Sequence, residues 1–235
     1  LMSEAVVSFR GVTKAFPGME SPALDDVTGE IRTGMITGLA GPDGAGKTTL
    51  IRLIAGLLEP ASGEVRTLGH DPVKEAAAIR TEVGYMPQKF GVYEDLSVIE
   101  NLNLHADLRG VMGKEREETF ERLLEFTDLK RFTKRFAGKL SGGMKQKLGL
   151  ACSLLGNPKL LLLDEPGVGV DPISRKELWG MVGDLVKQGI AVVWSTAYLD
   201  EAELCDTTIV LNEGKVLFTG TPAEIVAPLE GRCYH

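Results

Sequence analysis

The chain has 235 residues, 43% of them hydrophobic, and a formal net charge of −7. That length supports one sizeable core, or one core carrying a subdomain. The acidic balance argues against a non-specific nucleic-acid binder, and no direct DNA binding is expected.

In chain order, VVSF (6–9) and MITGLA (35–40) read as strands, and TTLIRLIAGLL (48–58) carries a helical pattern. Residues 90–152 change character and are helical in pattern and strand-poor. Within them SVIE sets Ser97 and Glu100 as a capping box, and Phe120, Leu123, Leu124 and Thr127 follow i, i+3, i+4, i+7 spacing with charges between. A helical insertion is expected there. LLLLD (160–164), IAVVWST (190–196), TIVL (208–211) and KVLFT (215–219) read as strands, several of them continuously apolar, as strands covered on both faces are. Helical patterns lie between strands, so the expected class is α/β with a largely parallel sheet. NEGK (212–215) reads as the turn of an antiparallel hairpin, and TPAE sets Thr221 as N-cap, Pro222 as first helical residue and Glu224 as third. The tail after Pro228 carries little signal.

Cys152, Cys205 and Cys233 are far apart, with no CxxC pair, which speaks against a metal or redox motif and fits a reducing compartment. No basic-then-apolar leader is present and no apolar run reaches the ~18 residues of a membrane span, so a soluble or peripheral chain is expected. Lys130, Arg131, Lys134, Arg135, Lys139, Lys145 and Lys147 form a basic stretch, read first as a solvated helical face and second as a face for anionic lipid or nucleotide.

GPDGAGKT (Gly41, Pro42, Asp43, Gly44, Ala45, Gly46, Lys47, Thr48) fits G-x-x-x-x-G-K-[ST], and it follows a strand and precedes a helix. The glycines let the backbone turn its N–H groups inward to phosphate oxygens, and the helix adds its positive end. Lys47 brings charge to the β- and γ-phosphates, and Thr48 a hydroxyl to Mg²⁺. LLLLDEP ends an apolar strand in carboxylates, which sets Asp164 at the ligand-binding edge of the sheet as a Mg²⁺ holder and Glu165 to orient or deprotonate water.

LSGGMKQ (140–146) alone is a capped Gly-Gly helix start, open to an anion. Taken with GPDGAGKT, YMPQ, LLLLDEP and GVDP (169–172), it makes residues 5 to about 225 resemble the ATP-binding-cassette (ABC) ATPases. The resemblance implies a RecA-like P-loop core with an N-terminal antiparallel β-subdomain (5–89 and 153–225), a helical subdomain carrying the signature (90–152), and a tail or linker (226–235). It implies ATP and Mg²⁺ as cofactors and a head-to-tail dimer with a second cassette. Each ATP would lie between one P-loop, with Thr49 at its end, and Ser141, Gly142, Gly143, Gln146 and Asp171 of the other cassette. Phe16 would stack on adenine, although a ring there also suits a core. Gln88 would reach Mg²⁺ or the attacking water. Asp171 has a local alternative as N-cap before Pro172. Gly167 and Val168 depart from the hydroxyl-rich residues the family carries after DEP. Residues 93–110 resemble insertions of drug- or polyketide-export cassettes, which sets a groove near 88–110 against an integral membrane permease at the cytoplasmic face of the inner or plasma membrane.

The family's next strand ends in a segment like S-T-H, whose histidine meets the γ-phosphate. Here WSTAYLDEAE puts Ala197 at that position, and His70, His105 and His235 lie in other segments. Losing one preorganised donor typically costs ~10²–10³-fold in rate. A site that binds ATP but hydrolyses it slowly is therefore expected, unless Tyr198 or a water compensates. An intact signature beside a defective switch suggests the N-terminal half of a tandem cassette protein. The resemblance leaves an exporter subunit as the first reading. A soluble ABC ATPase acting on ribosomes or nucleic acid is the second, and a P-loop kinase does not account for LSGGMKQ.

Overall fold

The computed structural model describes residues 4–89 and 91–226. The tail from 227 on, Cys233, His235 and Phe90 fall outside the described residues.

Six strands make the central sheet: β3 (Ile36–Ala40), β5 (Val83–Met86), β6 (Leu160–Asp164), β7 (Ala191–Thr196), β8 (Thr207–Asn212) and β9 (Lys215–Gly220), in the order β5-β6-β7-β3-β8-β9. All neighbours are parallel except the β8–β9 hairpin. The apolar runs are explained by the alternation of side chains across the sheet. Leu160, Leu162, Ala191 and Val193 enter one core, and Leu161, Leu163, Val192 and Trp194 the other. The first core joins the sheet to α1 (Lys47–Ile54) and to a smaller antiparallel sheet, order β2-β1-β4, built from β1 (Ala5–Lys14), β2 (Leu24–Arg32) and β4 (Ser62–Thr67). The Asp25 amide donates to the Gly214 carbonyl at 2.8 Å, tying this sheet to the β8–β9 turn.

A short α2 (Ala76–Arg80) precedes β5. The second core joins the sheet to α3 (Val98–Arg109), α4 (Gly113–Phe126), α5 (Gly142–Ser153) and α6 (Pro172–Lys187). Described residues 91–152 contain helices and no strand. Ser97 and Glu100 form the reciprocal capping box that starts α3, and Phe120, Leu123, Leu124 and Thr127 are buried. After α7 (Leu199–Ala202), β8 and β9, α8 (Pro222–Val226) opens with Thr221 and Glu224 bonded reciprocally. The helix after the P-loop is shorter than its pattern: it stops at Ile54, and Gly56 takes φ 70°.

A candidate nucleotide site at the carboxyl edge of the sheet

β6, β7 and β3 lie side by side, in register at Asp164–Ser195 and Ala40–Thr196, so three chain segments leave the same sheet edge together. GPDGAGKT follows β3 and curls into α1. Gly46 has φ 104°, and a Cβ there would meet the Ala23 carbonyl oxygen at 2.5 Å and Leu24 Cδ2 at 2.7 Å, so only glycine fits. Lys47, 4% exposed, donates to the Gly41 and Pro42 carbonyls at 2.7 and 3.0 Å. Its Nζ also lies 3.2 Å from Glu165 Oε1. Phe16, Met19, Ala23, Asp43 through Thr49, Gln88 and Glu165 line one cleft of about 410 Å³.

Glu165 takes a positive φ of 51°, a conformation costly for a side-chain-bearing residue. Gln88 donates to its Oε2 at 2.6 Å. Thr48 and Ser195 both donate to Asp164 Oδ1, at 3.0 and 2.9 Å, while Asp164 Oδ2 is buried without a hydrogen-bond partner. Burial pushes the Tyr85 phenol on the adjacent strand above its usual range, and the charge of Asp164 adds to the shift. The Thr48 hydroxyl and the orphaned carboxylate oxygen are hard oxygen donors, a set that fits Mg²⁺. Among the described residues no group of three or more His, Cys, Asp or Glu could hold a metal ion. Magnesium needs none, since it is usually held by one or two carboxylates together with substrate phosphates.

The other sequence-predicted residues lie elsewhere. Ser141 caps α5, accepting from the Met144 amide. A Cβ on Gly142 would come within 2.7 Å of the Gly169 carbonyl oxygen, and one on Gly143 within 2.3 Å of Ser174 Cβ, so the glycine pair lets the starts of α5 and α6 meet. Asp171 caps α6 by accepting from the Ile173 and Ser174 amides, and these bonds hold its carboxyl below the usual range. Gln146 lines a separate groove of about 180 Å³ with Gln88, Val92, Glu94 and Lys145.

Ala197 is exposed, one residue past β7, between the strand of the P-loop and that of Asp164. Neither it nor Tyr198 lines the cleft, and the Tyr198 amide donates to Thr196 Oγ1. His70 pairs with Glu75, and His105 sits on α3, where burial lowers its pKa. The glycine at 167 has a local reason. A Cβ there would lie 2.1 Å from Oε1 of buried Glu201, which accepts from the Trp194 indole at 3.0 Å and lies 3.7 Å from Arg175. Sequence reading passed over Ser195, Met19 and Ala23. The serine at the end of an apolar strand was the available signal for Ser195.

Two phosphate-directed segments separated by one strand at the carboxyl edge of a parallel sheet put the chain among P-loop nucleotide-binding proteins. A family profile described as ABC transporter matches residues 24–168, more than half of the chain, and the chain belongs to that family. It is 58% identical over 233 residues to the "Probable multidrug ABC transporter ATP-binding protein YbhF" of Escherichia coli (strain K12), covering 99% of this chain and 40% of that protein. It is 36% identical over 231 residues to the "Daunorubicin resistance ATP-binding protein DrrA3" of Streptomyces coeruleorubidus, covering 98% and 72%. A solved ATP-binding subunit of an ABC transporter superposes with TM-score 0.84 at 30% identity, covering 97% of this chain and 95% of that one. A dimeric ATP-binding cassette bound to ADP and Pi in a post-hydrolysis state gives 0.81 at 28%, covering 92% and 98%. The chain is an ABC ATP-binding domain with a P-loop α/β core and an antiparallel β-subdomain, and it resembles drug-export cassettes.

Proposed function

We propose that this chain is the nucleotide-binding engine of an exporter, and that its own site binds Mg²⁺·ATP well and hydrolyses it slowly. The observation that carries the reading is the exposed methyl group of Ala197 at the edge where Lys47, Asp164 and Glu165 converge. Phe16 stacks on adenine. The P-loop amides and Lys47 hold the phosphates, with Lys47 released from Glu165 as they enter. Thr48, Asp164 and Gln88 hold Mg²⁺, which when bound neutralises charge on the β- and γ-phosphates. Glu165, freed from Lys47, orients the attacking water. No side chain at 197 donates to the γ-phosphate, so one transition-state contact is missing.

The signature residues Ser141, Gly142, Gly143 and Gln146, with Asp171, act on a second cassette. Their absence from the lining of this chain's own cleft supports a head-to-tail pair. The chain spans 40% of the length of YbhF, which leaves room there for a second cassette, and we read this chain as one half of such a tandem. In this reading 90–152 is the helical unit set into the core of 5–89 and 153–225. Its groove beside Gln88 and Gln146 takes a segment of an integral membrane permease at the cytoplasmic face of the membrane. Among the described residues no helix is long and apolar enough to cross a membrane. The basic stretch does little for a nucleic-acid reading: Lys130 pairs with Glu121 and Glu125, Arg131 with Asp128, Lys145 with Glu94 and Lys147 with Glu177. Purification of the full-length protein in mild detergent tests the assembly. A hydrophobic membrane subunit is expected to accompany it, and recovery of rRNA or tRNA instead would overturn the exporter reading.

A further inference from the structure

Ser195 is fully buried on β7, opposite Asp164 on β6. Its hydroxyl makes two bonds at once. It donates to Asp164 Oδ1 at 2.9 Å and accepts from the Glu165 amide at 2.9 Å. With Thr48 donating as well, Oδ1 has both lone pairs engaged, and the unpartnered oxygen is Oδ2. The second bond anchors the residue whose backbone is strained, with φ 51°. That conformation carries the Glu165 carboxylate to Lys47 and Gln88. A methyl group at 195 would leave the buried Glu165 amide unpaired and give Asp164 one restraint fewer.

We propose that Ser195 is a positioning residue. Its hydroxyl turns Asp164 so that Oδ2 faces the nucleotide's metal, and it pins Glu165 in the left-handed conformation that its role requires. The inference rests on the reading of Thr48 and Asp164 as the Mg²⁺ site. A serine or threonine hydroxyl supplies both a strong donor and a strong acceptor at this depth without adding charge, whereas a cysteine thiol does both only weakly.

The test is ATP affinity measured twice, with Mg²⁺ and with EDTA, for the wild type, Ser195→Ala and the near-isosteric Ser195→Cys, a weak donor. The wild type is expected to bind more tightly with Mg²⁺. Both variants are expected to lose about 10- to 100-fold of that gain, the usual worth of a hydrogen bond to a charged group, while their affinity in EDTA stays at the wild-type value. Retention of the full Mg²⁺ gain in the variants overturns the proposal, as does an equal loss with and without Mg²⁺, which marks a role in folding alone. A wild type that gains nothing from Mg²⁺ overturns the metal reading itself, and the inference falls with it.

Discussion

Replacing Glu165 with glutamine removes one charge from a pair buried at the floor of the cleft. Lys47 and Glu165 are 4% and 8% exposed, and their charged atoms lie 3.2 Å apart. At an effective dielectric of about 20, unit charges at that separation attract by about 5 kcal/mol. Desolvation and the hydrogen bond that glutamine can keep offset much of this, leaving ~1–3 kcal/mol. In the free protein that energy opposes ATP, because Lys47 must exchange a carboxylate for phosphate and Glu165 repels the incoming charge. Glu165→Gln is therefore expected to bind Mg²⁺·ATP about 5- to 160-fold more tightly while turnover falls. Titration calorimetry with Mg²⁺·ATP measures the first quantity and phosphate release the second. Unchanged or weaker binding would refute the competition between Glu165 and phosphate for Lys47.

Gly143→Ala forces a methyl group against Ser174 Cβ and Oγ, both 2.3 Å from the new Cβ. Overpacking of this kind costs ~1–3 kcal/mol, expected as a Tm lowered by roughly 3–10 °C in a thermal melt. Asp171→Ala removes the α6 cap and lowers Tm at neutral pH. Because the folded carboxyl titrates below its ordinary 3.8, its stabilisation is present above that pH and is lost as pH falls through the lower folded value. The Tm difference between Asp171→Ala and wild type should accordingly shrink in melts taken below pH 3.8.

The legible parts of the fold were those with one local cause. LLLLD became β6 at its expected ends because every side chain of the run is buried, and the Ser97–Glu100 capping box and the helix start at Thr221 formed where their local spacing put them. β2, β4 and β5 were not read as strands. In β4 only Val65 and Thr67 are buried, so its alternation is too short to register. The pairing of β2 with β1 shifts register around Asp26, at φ 53°, and β5 has four residues, including Gly84, where a Cβ would come within 2.4 Å of the Ser153 carbonyl oxygen. These strands are made by pairing with distant partners, which a local pattern does not carry. In the site, the P-loop and DEP were legible because phosphate chemistry dictates their spacing. Ser195 was not, because its meaning lies in the register between β6 and β7.

Single-turnover hydrolysis of Mg²⁺·ATP by dimers of the wild-type chain and of Ala197→His measures the central claim. The account predicts similar ATP affinity for the two proteins and a cleavage rate at this site raised by about 10²- to 10³-fold in Ala197→His. Equal cleavage rates in the two proteins would contradict it.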